Sequence, residues 1–303
     1  MRKNLFKIFL IIILIGQTEN LISASGWSML RKIFSPKPKS IGVTAVVGVR
    51  GDLSAVFYNP AALSYNQNRE IFLLTEYNPE TGLTGGVVYG HPMKNSSLNF
   101  GLAYYNAGQM KLAWLENDEI KEKSVTAEQD ILSLVSYGVI LNKYLSVGLT
   151  VKAATSKLFE LASATALAGD FGFVFMPNLG KLSIAGGVQN IGTSSKFVKE
   201  KDNLPFSIFG ALGYAFYSKK YPNLYISPGI NATYLKEDKK FIPDFGIEIG
   251  YVPISLSLGY QINDESNFSI GITYLKEKYD IAYSYVLGVY LHSAHRLGIG
   301  YRF

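Results

Sequence analysis

From about residue 70 to its end the chain alternates large apolar residues with small or polar ones at a period of two. Ile254, Leu256, Leu258 and Tyr260 alternate with Ser255, Ser257, Gly259 and Gln261. Phe268, Ile270, Ile272 and Tyr274 alternate with Ser269, Gly271 and Thr273, and Leu145, Val147, Leu149 and Val151 with Ser146, Gly148, Thr150 and Lys152. Successive side chains of an extended strand point to opposite faces, so each segment has one apolar face and one small or polar face. A soluble sandwich also alternates, but its outward face carries Lys, Glu and Thr. Here that second face is mostly Gly, Ser, Ala and Thr, which suits a barrel with lipid outside and a crowded lumen inside. Tyr104, Tyr137, Tyr214, Phe216, Tyr251, Tyr260 and Tyr274 fall near predicted strand ends, where the aromatic girdles of a membrane barrel belong.

Alternating segments separated by turn signals predict about fourteen strands. They lie near 69–78, 83–92, 96–106, 128–141, 143–157, 161–176, 180–192, 203–217, 222–235, 240–252, 254–262, 266–276, 279–290 and 294–303. An even count brings the chain back to the side on which it began. Connections such as Leu141–Lys143, Met176–Gly180 and Val252–Pro253 are tight, whereas Asn106 to Gln129 and Gly192 to Asn203 read as long polar loops. In an outer-membrane barrel the tight turns are periplasmic and the long loops extracellular.

The amino-terminal stretch follows different rules. A basic start, MRKNLFK, is followed by an apolar run, Ile8 to Gly16, and then by the small residues Ser23, Ala24, Ser25 and Gly26. This succession predicts a signal peptide over 1–26. The run is well short of the ~20 apolar residues that a spanning helix needs. A chain that enters a membrane without such a helix does so as a closed barrel, because only helices and barrels satisfy every backbone group in lipid. The last strand supports this: His295, Leu297, Ile299, Tyr301 and Phe303 share one face, and the sequence stops on Phe303. A terminal aromatic on an amphipathic strand resembles the signal read by bacterial barrel-assembly machinery, carried here by Leu297, Ile299, Tyr301 and Phe303. The expected location is the bacterial outer membrane, with its lipid and the assembly machinery as partners.

Composition narrows the function classes. Charged residues are 17% and apolar residues 48% of the chain, and Cys is absent. That excludes disulfide frameworks, Cys-based zinc sites and a lipidated amino-terminal Cys. The formal net charge is +6, but the Lys and Arg residues are scattered, mostly at predicted turns, with no basic aromatic stripe. Nucleic acid is therefore not an expected partner. The three histidines, His91, His292 and His295, lack metal-ligand spacing with acids. Asp170, Asp244 and Glu248 are expected to face inward, as a hydrated polar patch or in ion pairs with Lys152 or Arg302. No nucleophile elbow, phosphate loop or paired-carboxylate motif is present. No catalytic residue, cofactor or metal is assigned, and an enzyme is not expected.

Residues 41–63, IGVTAVVGVRGDLSAVFYNPAAL, break the alternation. Gly42, Gly48, Asp52, Ser54, Ala55, Asn59, Pro60, Ala61 and Leu63 are similar to the amino-terminal segment of the PorV/PorQ-like branch of the FadL outer-membrane superfamily, with Ala62 where a Gly is usual. Gly169-Asp170-Phe171-Gly172 resembles that family's D-x-G strand. Gly187 to Gly192 (GVQNIG) resembles its QN-x-G hairpin end, Leu204-Pro205 the opening of its next strand, and His295 to Phe303 its final strand. The resemblance implies an all-β, transmembrane antiparallel barrel of about 14 strands with a luminal hatch. The division is then signal peptide 1–26, hatch 27–68 and barrel 69–303. The hatch motif is Asp52, Ser54, Ala55, Asn59, Pro60, Ala61 and Leu63. Pro60 lacks a backbone donor and Asn59 favours turns, which suits a plug better than a central strand. Two functions follow from the resemblance: passage of hydrophobic or amphipathic small molecules, or handling of exported proteins in a secretion system. An outer-membrane enzyme acting on lipid would need a hydroxyl nucleophile beside a His on one barrel face, and none is found.

Overall fold

The computed structural model describes residues 27–32, 35–37, 51–79, 81–116, 119–177, 181–197, 202–221, 223–262, 267–288 and 293–303. The predicted signal peptide, Gly42 and Gly48 of the motif, and His292 lie outside these residues. Among the described residues the elements in chain order are α1 (Ser28–Arg31), two 3-10 helices (Leu53–Phe57 and Pro60–Tyr65) and seventeen strands. The first nine strands are β1 (Glu70–Asn78), β2 (Gly82–Pro92), β3 (Ser96–Asn106), β4 (Gln109–Glu116), β5 (Glu119–Thr126), β6 (Glu128–Asn142), β7 (Leu145–Leu158), β8 (Ala162–Phe175) and β9 (Leu182–Ser194). The rest are β10 (Ser207–Tyr214), β11 (Phe216–Tyr217), β12 (Leu224–Leu235), β13 (Lys240–Tyr251), β14 (Ile254–Gln261), β15 (Asn267–Lys276), β16 (Tyr279–Leu287) and β17 (Ala294–Arg302).

The wall is an antiparallel meander in which neighbours in sequence are neighbours in space. β10 and β11 both pair with β12 and form one wall strand interrupted at Ala215. The β4–β5 ribbon stands apart from the main sheet. That leaves fourteen wall strands, closed by pairing of β1 with β17 from Glu70↔Arg302 to Tyr77↔His295. Closure removes both sheet edges, so every strand of the wall has a partner on each side.

The period-two pattern becomes inside and outside. On β7, Ser146, Thr150, Lys152, Ala154 and Ser156 are buried, whereas Leu149 and Val151 are 60% and 66% exposed. The same alternation runs through β1, β6, β8, β10 and β17. A barrel whose outer wall is built of exposed Leu, Ile, Val, Phe and Tyr belongs in lipid. Among the described residues no helix is long and apolar enough to cross a membrane, so the strands are the spanning elements. The protein is a bacterial outer-membrane β-barrel.

Three expectations need correction. The stretch from Asn106 to Gln129 is not a loop: it carries the β4–β5 ribbon, paired from Gln109↔Thr126 to Glu116↔Glu119. Gln189 and Asn190 are not at a hairpin end but inside β9, where the pairing with β8 shifts between Gly169 and Phe171. The extra residue of this bulge leaves Asn190 at φ 58°, a left-handed conformation that Asn tolerates better than most residues. Leu204-Pro205 does not open the next strand, because β10 starts at Ser207.

The wall has two unlike ends. The connections β2–β3, β6–β7, β13–β14 and β15–β16 are tight and share the end where β1 begins and β17 finishes. The β4–β5 ribbon, the end of β9 at Ser194 and the start of β10 at Ser207 lie at the other end. By the rule that tight turns are periplasmic, the first end faces the periplasm and the second the exterior.

Candidate functional site

A barrel acts through its lumen, and this lumen holds the chain's own amino-terminal segment. The segment starts near the extracellular end. The Trp27 ring lies 5.3 Å from that of Phe197. Ser28 Oγ donates to Glu128 Oε2 at 2.8 Å, and Met29 N to Asp130 Oδ2 at 3.0 Å. Arg31 pairs with Asp238 at 2.7 Å. Further along, Lys32 meets Glu76 at 3.3 Å, and Glu76 also pairs with Arg296. Lys37 then reaches the periplasmic end, where its Nζ lies 2.6 Å from Asp280 and 3.6 Å from Asp52. Burial works against the charge on Lys37, but Asp280 and Asp52 outweigh it and hold its pKa above the ordinary lysine value.

Residues 52–66 fold locally because three side chains supply the turns. Asp52 caps the first 3-10 helix, its Oδ1 accepting from Ser54 N at 2.8 Å and from Ser54 Oγ at 2.7 Å. Ser35 Oγ donates to Ser54 Oγ at 2.7 Å, tying the earlier part of the segment to this turn. Asn59 caps the second 3-10 helix by accepting from Ala61 N at 3.2 Å. Pro60 takes the first helical position, where its missing N–H costs nothing. Leu53, Ala55, Val56, Ala61 and Leu63 are at most 1% exposed and share one core with wall residues Phe72, Leu74, Val88, Leu132 and Leu134.

The seat for these turns is a row of small residues across the wall. Gly138 pairs with Gly148, and Gly148 with Gly172, so three neighbouring strands present a glycine at one height. A Cβ on Gly138 would come within 2.6 Å of the Pro60 carbonyl oxygen. One on Gly148 would overlap the Pro60–Ala61 peptide, and one on Gly172 the Asn59 side chain. The backbone at 59–61 therefore lies directly on the wall. Hydrogen bonds complete the seat. Ser146 Oγ donates to Ala61 O at 3.3 Å, and Gln189 Nε2 to the carbonyls of Phe57 and Tyr58, each at 3.2 Å.

All seven motif residues named from the sequence thus fall within one buried stretch of the lumen. The seat residues missed were Gly138 and Gly148, and Gln189 was named only as part of a hairpin end, not as a donor to the hatch. A glycine on the small face of a strand looks like any other until the opposing backbone is known. Of the inward carboxylates, Asp170 is buried and paired with Lys152 at 2.7 Å, and Glu248 accepts from Tyr225 Oη at 2.6 Å. Asp244 accepts from Asn231 Nδ2 at 2.8 Å. Arg302 pairs instead with Glu70 at 3.0 Å and Asp280 at 3.5 Å. No group of three or more His, Asp and Glu fit to hold a metal occurs among the described residues. His91 and His295 each lie near a Tyr hydroxyl. The assembly-signal residues Leu297, Ile299, Tyr301 and Phe303 all face outward, 38–58% exposed.

No protein-family model and no curated protein sequence matches the chain. Solved structures do. The Ralstonia pickettii toluene transporter TbuX superposes with a TM-score of 0.65 at 11% identity, covering 89% of this chain and 98% of TbuX. The Pseudomonas putida toluene transporter TodX gives 0.64 at 12% identity, with the same coverage. A Pseudomonas aeruginosa FadL homologue gives 0.54 at 11% identity and covers 94% of this chain and 100% of its own. At such identities the likeness is one of fold: the chain has the architecture of FadL-type hydrocarbon channels of the outer membrane.

Proposed function

We propose that the protein is a plugged channel that passes hydrophobic or amphipathic small molecules across the outer membrane, with residues 27–68 as its hatch. Within this proposal the chain is a PorV/PorQ-like member of the FadL superfamily, a reading supported by the sequence resemblance at Asp52 to Leu63 and at Gly169 to Gly172. The observation that carries the proposal is the occupied lumen: an apolar segment of the chain itself sits on the glycine row. The charged groups around it are largely spent on each other, as in Glu76–Arg296, Lys152–Asp170 and Glu70–Arg302–Asp280–Lys37. A pore selecting hydrophilic ions would display such charges in open rings. The toluene-transporter fold supports the same substrate class.

The test is the pair Asn59→Ala with Pro60→Ala. It removes the cap and the fixed turn, leaving polar groups unpaired at about 1–3 kcal/mol each. That is small against a barrel but large against a short plug. The expected result is raised single-channel conductance and new sensitivity to bulky antibiotics, with an unchanged β-sheet spectrum. A variant that fails to fold would assign the motif to the wall. A folded variant that conducts no more than the wild type would reject gating by the hatch and put the handling of exported proteins ahead of the channel.

A further inference from the structure

The two ends of the barrel carry different charge. The connections at the periplasmic end, with the strand ends beside them, contain Lys94, Lys143, Lys181, Lys219, Lys220, Lys276 and Lys278, and Arg69 lies where β1 begins; the exposed acid among them is Glu277, while Glu70 and Asp280 are buried on the luminal side and paired with Arg302 and Lys37. All eight basic side chains are exposed. None of the lysines enters an ion pair with another described residue; three lie instead over tyrosine rings. Lys143 Nζ is 4.7 Å from the ring centre of Tyr144, Lys220 is 5.2 Å from that of Tyr221, and Lys278 is 6.0 Å from that of Tyr301. The extracellular end differs. Its lysines are interspersed with Glu119, Glu122, Glu160, Asp202, Glu237 and Asp238. There Lys111 pairs with Glu122 at 3.3 Å and Lys123 with Glu160 at 3.7 Å.

From this asymmetry we propose that the periplasmic ring binds the phosphate headgroups of anionic phospholipids in the inner leaflet. Tyrosines settle at the membrane–water interface, so a lysine stacked on one is held at headgroup depth. A cation there that makes no ion pair with a described residue is free to pair with a lipid phosphate. The ring surrounds the barrel, as a lipid annulus does, whereas a docked protein would need a patch on one side. The surface is separate from the lumen and does not depend on what passes through it.

Spin-label spectroscopy tests this on the folded full-length mature barrel. Phosphatidylcholine vesicles holding the protein receive a trace of spin-labelled phosphatidylglycerol or spin-labelled phosphatidylcholine, and the motionally restricted fraction is compared. At low salt the wild type is expected to hold the anionic label about fivefold more strongly. The preference should fall toward equality in about 0.5 M salt. Changing Lys94, Lys143, Lys219, Lys220 and Lys278 together to Gln should bring the ratio near one. The same change at Lys111, Lys123, Lys196, Lys236 and Lys239, at the other end, should leave it as in the wild type. Should the periplasmic variant not yield a heat-modifiable barrel, the salt series and the extracellular variant decide. No preference in the wild type, a preference that survives loss of the ring or high salt, or an equal loss in both variants overturns the proposal.

Discussion

Asn190 shows how one residue ties wall and hatch together. Its left-handed φ and the bulge around it turn both its backbone and its side chain to use. Its N–H donates to Asp170 Oδ1 at 2.9 Å, and its Oδ1 accepts from Lys152 Nζ at 3.0 Å. Its Nδ2 reaches Leu30 O at 3.1 Å and Pro205 O at 3.0 Å. The sequence named Lys152 and Asp170 as possible partners, and they are partners. The family resemblance assigned Asn190 to a hairpin end, whereas it lies inside β9 at the bulge. A bulge lets Gln189 and Asn190 both face a polar lumen without ending the strand. The side chains of Lys152 and Asp170 are 3% and 0% exposed, so breaking the pair strands a buried cation. Asp170→Asn is expected to destabilise the folded barrel by about 3–5 kcal/mol, read as a lower denaturation midpoint. Lys152→Met with Asp170→Leu should recover most of that loss. If Asp170→Asn leaves the midpoint unchanged, the site is wetter than the geometry says and the pair contributes little.

At the scale of elements, the wall was legible because alternation, tight turns and an even count all point the same way. The β4–β5 ribbon was not: β4 alternates Met110, Leu112 and Trp114 with Gln109, Lys111 and Ala113 only briefly, and its partner β5 is the charged run Glu119 to Lys123 with no matching apolar face. Two strands that pair only with each other bury little and leave a polar pattern, which reads as loop. The closing strand makes the opposite case. β17 pairs with both β16 and β1, so the whole circle depends on it. Phe303 continues its outward row, donates its N–H to Arg69 O at 3.0 Å, and stacks on Tyr89 and Tyr301 at 6.4 and 6.3 Å. Phe303→Ser is expected to reduce the amount of heat-modifiable barrel recovered from membranes, with unfolded chain accumulating instead. Normal recovery would show that neither closure nor assembly needs this ring.

For the whole molecule, the sequence disclosed which surface meets lipid, because that is a property of every second residue. It disclosed the hatch only as a break in that pattern. The seat remained hidden, because it depends on three glycines from three strands meeting one backbone turn. The central claim is that the segment around Ala61 rests on the wall beside Ser146 and by its position governs passage through the lumen. The chain has no cysteine, so a single engineered pair, Ala61→Cys with Ser146→Cys, gives an unambiguous bond between hatch and wall. The decisive measurement is passage of a small hydrophobic probe into vesicles holding this variant, before and after oxidation and again after reduction. The account predicts that the cross-link forms readily in the folded barrel, that uptake falls to the protein-free rate when it is closed, and that reduction restores it. A pair that does not cross-link, or a cross-linked barrel that still passes the probe at the reduced rate, would contradict it.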